Sequence, residues 1–130
     1  MPIALKRFDH LVLTVADLQK TRDFYTAVLG MAAEEFQPGR WALKFGQQKI
    51  NLHPAAHVPD PNVRHATPGS ADLCLLTDTP VAEVLAWLAH HHVPVVTGPI
   101  RRSGALGPLL SVYVYDPDEN LIEIAHQLPA

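Results

Sequence analysis

The chain contains an internal repeat, and the repeat limits the folds open to it. An alternating apolar segment over residues 8–15 is followed by a helical pattern over residues 17–29. The same order recurs over residues 70–77 and 80–91, and an offset of 62 residues carries His10 onto Asp72. Self-similarity of this kind indicates two copies of one supersecondary unit. Each copy then contributes one first strand with one polar residue.

Both halves predict the order β-α-β-β-β. In the first half, Asp17 is the expected helix N-cap and Gly30 the expected stop. In the second half, Thr79 is the expected N-cap, with Pro80 at the first helical position. The alternating strands and turn signals that follow each helix complete the two units.

We therefore expect one α+β domain over residues 1–130, built from two βαβββ modules that form a curved, half-open mixed sheet with the helices outside. The first module covers about residues 6–53 and the second about residues 70–127. Residues 54–69 contain four prolines and no periodicity, which is typical of a linker. The concave face of such a sheet is a natural ligand site.

Composition excludes several classes of partner. The net charge is −3 and no basic run is present, which argues against binding to nucleic acid or to an anionic membrane. The apolar runs are too short for a membrane helix, and the N-terminal residues do not resemble a signal peptide. The single cysteine, Cys74, excludes an internal disulfide, so a reducing cytoplasm is expected. Its apolar strand predicts a small core residue rather than a nucleophile.

Polar side chains interrupt the apolar strands at five positions: His10, Asn51, His53, Asp72 and Glu123. Burying such groups without partners is costly, so they must meet one another or a cation. Imidazole and carboxylate groups are suitable ligands for a divalent metal, here zinc, iron, manganese, nickel or cobalt. The alternative is structural: a hydrogen-bonded core histidine, and a glutamate paired with an arginine.

Two arginines mark a second region of interest. Arg101 and Arg102 lie in residues 98–107, a stretch rich in glycine that we expect to be a loop able to fold over an anionic group. The alternative is an ordinary exposed basic loop. Tyr113 and Tyr115 share a face of the next strand, where they either line the cavity or pack. The three histidines at 90–92 are better explained by their place at a helix C-terminus than by metal binding.

Segments at both ends of the chain resemble the vicinal oxygen chelate superfamily, which includes glyoxalase I, bleomycin-resistance proteins, fosfomycin-resistance enzymes and extradiol dioxygenases. The resemblance rests on the opening strand and helix, residues 8–18, 23–25 and 28–31, and on the closing hairpin, residues 114–123. Residues 45–53, 68–75 and 98–107 further resemble short glyoxalase-domain proteins, some described as virulence-associated.

The resemblance implies metal ligands on the first and last strand of each module. These positions hold His10, Asn51, Asp72 and Glu123, with His53 close to Asn51. Only His10 and Glu123 match the pattern, because a carboxylate or glutamine is expected at Asn51 and a histidine at Asp72. The closing turn also departs, with Glu119 where the superfamily usually has glycine.

The implied function is that of a metal-dependent enzyme acting on a small oxygen-bearing substrate, by a lyase or isomerase reaction like that of glyoxalase I. In this reaction Glu123 is the candidate catalytic residue, and Arg101, Arg102, Tyr113 and Tyr115 are candidate substrate contacts. The alternatives are a metal-free small-molecule binder of the bleomycin-resistance type, and a dioxygenase. The superfamily also implies a homodimer.

Overall fold

The computed structural model describes residues 2–130, which contain eight strands and two helices. The helices are α1 (Leu18–Ala27) and α2 (Val81–His90). The strands are β1 (His10–Val15), β2 (Ala32–Gln37), β3 (Arg40–Phe45), β4 (Gln48–Pro54), β5 (Asp72–Leu76), β6 (Thr97–Gly104), β7 (Gly107–Tyr115) and β8 (Leu121–Gln127). Within residues 2–130 neither helix has the length and hydrophobicity needed to cross a membrane.

The chain divides into two compact units, residues 1–67 and residues 68–130. Each unit is a βαβββ module with a four-stranded mixed sheet, in the order β1-β4-β3-β2 in the first and β5-β8-β7-β6 in the second. In both sheets the first strand pairs in parallel with the last, and the other pairs are antiparallel. The predicted α+β class and its mixed, open sheets are confirmed.

In the first unit, one face of the sheet packs against α1. Asp17 caps this helix by accepting a hydrogen bond from the backbone N–H of Lys20, as predicted. The buried Tyr25 comes from the helix. The sheet contributes a set of buried apolar side chains: Leu13, Val15, Leu43, Ile50 and Leu52. Because side chains alternate along a strand, the polar residues between them lie on the face turned away from α1.

The second unit is built in the same way. Leu88 of α2 is buried, and so are Val112, Val114 and Ile122 on the facing strands. The predicted cap is wrong: the N-cap is Pro80 itself, and no side chain caps α2. The hydroxyl of Thr79 is not used there, since the proline immediately after it occupies the capping position.

Strand register shows which residues of the two units are equivalent. Val12 lies opposite Asn51 in the β1–β4 pair, and Cys74 lies opposite Glu123 in the β5–β8 pair. Val12 and Cys74 are both the third residue of their strand. Asn51 is therefore the counterpart of Glu123, and His53 is not.

The second unit differs most from the first in its hairpin. Residues 98–107, predicted to be a flexible loop, instead form most of β6 and its tight turn into β7. The prediction is wrong because glycines in this stretch serve close packing rather than mobility. A Cβ on Gly104 would come within 2.8 Å of the Leu109 side chain, so the two strands meet closely there.

A buried polar network holds the closing turn of the second unit. The Asp116 carboxylate accepts hydrogen bonds from the backbone N–H groups of Asp118 and Asn120 and from the Asn120 side-chain amide. The side-chain oxygen of Asn120 accepts a further hydrogen bond from the backbone N–H of Ala71, just before β5. Glu119 adopts a left-handed conformation with φ 64°, which explains why glycine is usual there.

We expect Asn120→Ala to destabilise the second unit by about 2 kcal/mol or more, because it leaves buried partners unsatisfied. Each unit carries one tryptophan, Trp41 and Trp87. In a Trp41→Phe background, urea unfolding followed by Trp87 fluorescence therefore reports on the second unit. Asn62→Ala, at an exposed position, is the control. Equal unfolding midpoints for the two variants would contradict the role of this network.

Candidate functional site

The second unit contains an open cavity of about 380 Å³ on the face of its sheet turned away from α2. Five of the residues predicted from the sequence line it: Asp72, Arg102, Tyr113, Tyr115 and Glu123. They come from strands that are distant in sequence, β5 to β8. The cavity combines carboxylates, a cation and phenol groups, so it can hold a small polar ligand.

Glu123 is held in place by a neighbour on β7. The Ser111 hydroxyl donates a hydrogen bond of 2.6 Å to Glu123 Oε2, and Ser111 is fully buried. This bond fixes the carboxylate and occupies one of its oxygens. The Cys74 thiol is a further hydrogen-bond partner of the carboxylate, which as a two-oxygen acceptor can still take up a ligand or a proton.

Arg102 and Tyr113 form a second pair in this cavity. The Arg102 Nε donates a hydrogen bond of 3.1 Å to Tyr113 Oη, and the guanidinium carbon lies 5.6 Å from the centre of the tyrosine ring. Arg101 is the adjacent strand residue, so it points to the other face of the sheet. Of the two arginines, Arg102 lines this cavity with Tyr113, whereas both arginines line a second cavity beside the β6–β7 hairpin.

Cys74 is not a core residue, contrary to the sequence-based prediction, because it lies exposed on the edge strand β5. Partial burial of the thiol, followed by the charge and hydrogen bond of Glu123, raises the pKa of Cys74 to about 11. The charge of Asp72 acts in the same direction. The thiol is therefore protonated at neutral pH and is a poor nucleophile.

In the first unit, His10 is oriented by the residue before it. His10 Nδ1 lies 2.8 Å from Asp9 Oδ2. The hydrogen bond and charge of His10 lower the pKa of Asp9, so this carboxylate is ionised and accepts the bond. Nδ1 is then the protonated nitrogen, and Nε2 is available as a ligand. In many metal sites the metal-binding histidine donates its other ring N–H to a carboxylate.

Asn51 and His53 lie on the face of the first sheet turned away from α1, and each is only 7% exposed. The side-chain oxygen of Asn51 is buried and has no hydrogen-bond partner among residues 2–130. Burial, and secondarily the nearby charge of Arg40, lower the pKa of His53. A fixed guanidinium charge beside His53 disfavours a cation at that residue.

Each sheet, taken by itself, carries donor atoms of the kinds that a divalent cation binds. His10 offers a free nitrogen, Asn51 an unpaired carbonyl oxygen, and Asp72 and Glu123 offer carboxylate oxygens on one cavity wall. In the part of the chain that the structure describes, no three His, Cys, Asp or Glu side chains are close enough to form a metal cluster by themselves.

Two of the three consecutive histidines contact the ring of a tryptophan near the end of α2. The His91 ring centre lies 4.4 Å from that of Trp87, and the His90 ring centre lies 5.9 Å from it. These contacts give the histidines a packing role at the helix terminus, in agreement with the structural interpretation of the sequence.

Sequence reasoning missed three residues that shape these surfaces: Asp9, Arg40 and Ser111. Asp9 could have been found, because it directly precedes His10. Arg40 is the first residue of β3, and its place beside His53 depends on the β3–β4 pairing, which no local pattern shows. Ser111 has no sequence signal, because its contact with Glu123 depends on the β7–β8 pairing.

The sequence profile of the Glyoxalase/Bleomycin resistance protein/Dioxygenase superfamily matches residues 7–124. The chain belongs to this superfamily. The resemblance identified in the sequence is thereby confirmed.

Two relatives are similar over nearly the whole chain. Virulence protein STM3117 of Salmonella typhimurium is 48% identical over 121 residues, which cover 93% of this chain and 84% of the relative. Its crystal structure matches with a TM-score of 0.95 and 46% identity, covering 97% of this chain and 100% of the other. The glyoxalase domain-containing protein RDO1 of Mycosarcoma maydis is 47% identical over 123 residues, which cover 95% of this chain and 69% of the relative.

More distant structures share the fold. A lactoylglutathione lyase from Agrobacterium tumefaciens has a TM-score of 0.72 at 24% identity, with 94% of each chain covered. TnmS3, an antibiotic binding protein from Streptomyces sp. CB03234, has a TM-score of 0.77 at 24% identity, covering 98% of this chain and 100% of the other. The fold is thus used both by a lyase and by a binding protein.

Replacing Glu123 should make Cys74 more reactive. In Glu123→Gln the negative charge beside the thiol is lost, so the pKa of Cys74 falls, although burial still keeps it above its ordinary value. The thiolate fraction at about pH 8 then rises, and alkylation by iodoacetamide, followed by mass spectrometry, becomes several-fold faster. Asp72→Asn should have a smaller effect, because Asp72 is the weakest of the causes. An unchanged rate in a folded Glu123→Gln protein would contradict the assigned contact.

Proposed function

We propose that the protein is a divalent-metal-dependent enzyme acting on a small oxygen-bearing substrate, by a lyase or isomerase reaction like that of glyoxalase I. The metal would be held by His10, Asp72 and Glu123. The observation that carries the proposal is the cavity of the second unit, where Asp72 and Glu123 lie beside the Arg102–Tyr113 pair. The register supports Asn51 rather than His53 as a further ligand.

A bound divalent cation would supply Lewis-acid stabilisation of an enolate or oxyanion. Glu123 is the group that would carry a proton between neighbouring carbons of the substrate. The Ser111 hydrogen bond would hold the carboxylate in position while it takes up and returns the proton. Asp9 would hold the His10 ring with Nε2 free.

Arg102 would bind an anionic group of the substrate. Its guanidinium lines the cavity and is oriented by the hydroxyl of Tyr113, and an arginine fork matches the geometry of a carboxylate. Tyr115 lines the same cavity and would contact the body of the substrate. Arg101 faces the other side of the strand, so we assign the charge recognition to Arg102 alone.

A second candidate is a binding protein without catalysis. Asn51 and Asp72 differ from the residues that the resemblance to metalloenzymes leads us to expect, and a pure binder needs no metal. The antibiotic binding protein TnmS3 shows that the fold serves this purpose elsewhere. A dioxygenase is a weaker candidate, because Asp72 replaces the second histidine of the expected iron site. In each case the single cysteine suits a cytoplasmic protein.

Metal affinity tests the proposed ligands. Metal-free protein titrated calorimetrically with Zn²⁺, Ni²⁺, Co²⁺, Mn²⁺ and Fe²⁺ should bind at least one of them. His10→Ala and Glu123→Ala should each weaken that binding at least tenfold, because each removes a direct ligand.

The exposed positions His65 and Asp78 provide matched controls, and His65→Ala and Asp78→Ala should bind as the wild type does. Absence of binding by any of the five metals would refute the metal-dependent enzyme and favour the binding protein. Equal affinity in wild type, His10→Ala and Glu123→Ala would remove these two residues from the site.

The proposed homodimer is tested by sedimentation velocity. Apolar side chains are exposed on the first strand of each unit, which is an edge strand of its sheet: Val12 is 43% exposed on β1 and Leu76 is 63% exposed on β5. Covering such surfaces favours association. We expect a dimer at micromolar concentration, and a shift toward monomer in Val12→Glu and Leu76→Glu. Leu106→Glu, at the tip of the β6–β7 hairpin, should remain dimeric. A monomeric wild type would contradict the proposal.

A further inference from the structure

A basic polar cluster lies on the face of the first sheet turned away from α1. It consists of Arg40, Asn51 and His53, and we refer to it as the Arg40 cluster. Asn51 and His53 share a face of β4, and the pairing of Ala42 with Asn51 places Arg40 on that same face. Arg40 is then directly across from His53 and diagonal to Asn51. Long side chains can reach a diagonal neighbour on the adjacent strand.

The polar atoms of the Arg40 cluster lack partners. Asn51 and His53 are each 93% buried, since each keeps 7% of its exposure. Both the Asn51 side-chain oxygen and Arg40 Nε are buried without a hydrogen-bond partner among residues 2–130. Leaving an acceptor and a charged donor unsatisfied in one place is costly. The cluster therefore lacks a molecule that would supply one donor and one anionic acceptor.

The charge around the cluster is also uncompensated. Lys44 pairs with Glu34 at 3.4 Å. No carboxylate of residues 2–130 lies within ion-pair distance of Arg40 or Lys49. Both cations instead contact the ring of Phe36, with Lys49 Nζ at 4.3 Å and the Arg40 guanidinium carbon at 5.1 Å from its centre. The charge of Lys49 also acts on Asp9, whose pKa it helps to lower, whereas the Arg40 guanidinium has no ion pair among residues 2–130 and favours an anionic ligand.

The second unit has a residue at the position equivalent to Arg40. Ser111 occupies the corresponding place, since Ser111 lies opposite Ala125 and Tyr113 lies opposite Glu123. Ser111 reaches Glu123 with a 2.6 Å hydrogen bond. Arg40 holds the equivalent position beside Asn51, and its guanidinium lies 5.1 Å from the centre of the Phe36 ring. The two units share this geometry but differ in charge. The second unit has the Ser111 hydroxyl beside the Glu123 carboxylate, whereas the first has the Arg40 guanidinium beside the Asn51 amide.

We propose that the Arg40 cluster binds the carboxylate end of a small 2-hydroxy carboxylic acid. Arg40 donates hydrogen bonds to the carboxylate, and the Asn51 oxygen accepts one from the neighbouring hydroxyl. His53 lines the site as a further polar contact. A plain carboxylate would satisfy only Arg40, whereas a hydroxyl on the next carbon satisfies both orphaned atoms in one molecule. The proposal uses none of His10, Asp72 and Glu123 and shares only Asn51 with the proposed metal site, so the test is made on metal-free protein.

The test uses glycolate and acetate as probes on metal-free, ¹⁵N-labelled protein. Glycolate should shift the Nε–H resonance of Arg40 and the side-chain amide resonances of Asn51, and it should bind more tightly than acetate. Arg40→Met should weaken glycolate binding roughly ten- to a hundredfold, the range expected for losing a charged hydrogen bond. Arg64→Met, at an exposed position, should bind as the wild type does.

Two further variants separate binding from folding. Arg40→Lys keeps the positive charge but lacks the fork, so it should fold and bind more weakly than wild type. Asn51→Ala should remove the preference for glycolate over acetate while leaving acetate binding in place. Equal binding of the two probes by wild type, or glycolate binding that survives Arg40→Met, would overturn the proposal. Neither result would bear on metal affinity, which the His10 and Glu123 variants measure separately.

Discussion

The parallel pairing of the first strand with the last strand of each unit is the constraint on which the remaining structure depends. It joins segments separated by a helix and two strands, and it fixes which side chains meet across the sheet. A slip of one residue would turn Asn51 or Glu123 to the face that packs on a helix. The buried apolar residues on that face, such as Ile50 and Ile122, hold the register in place.

Given that register, duplication of the unit accounts for the pattern of polar residues. Equivalent positions carry His10 and Asp72, and Asn51 and Glu123, on the faces turned away from the helices. The two copies share their geometry but differ in charge. The second copy is acidic and holds Glu123 through Ser111, whereas the first places Arg40 at the position of that serine. The two copies thus share a fold and differ in the chemistry of these faces.

The sequence predicts the elements well where periodicity and capping agree, and less well where pairing decides. The Asp17 cap and the order of strands follow from local pattern, and both are observed. The prediction for residues 98–107 is wrong because glycines are typical of loops, whereas here close cross-strand packing at Gly104 makes the segment a hairpin. The register was also needed to show that Asn51, and not His53, is the counterpart of Glu123. The sequence pattern alone places both residues on the same face of the strand.

The chemistry of Glu123 shows why the surroundings of a residue matter as much as its identity. Its position was evident from the interruption of an apolar strand, but its hydrogen bond to Ser111 comes only from the β7–β8 pairing. That bond restricts rotation of the carboxylate, and the Cys74 thiol is a further hydrogen-bond partner of the same group. Its charge, in turn, helps to keep the neighbouring Cys74 thiol protonated. A carboxylate held in this way can act on a substrate in the cavity while the nearby thiol stays unreactive.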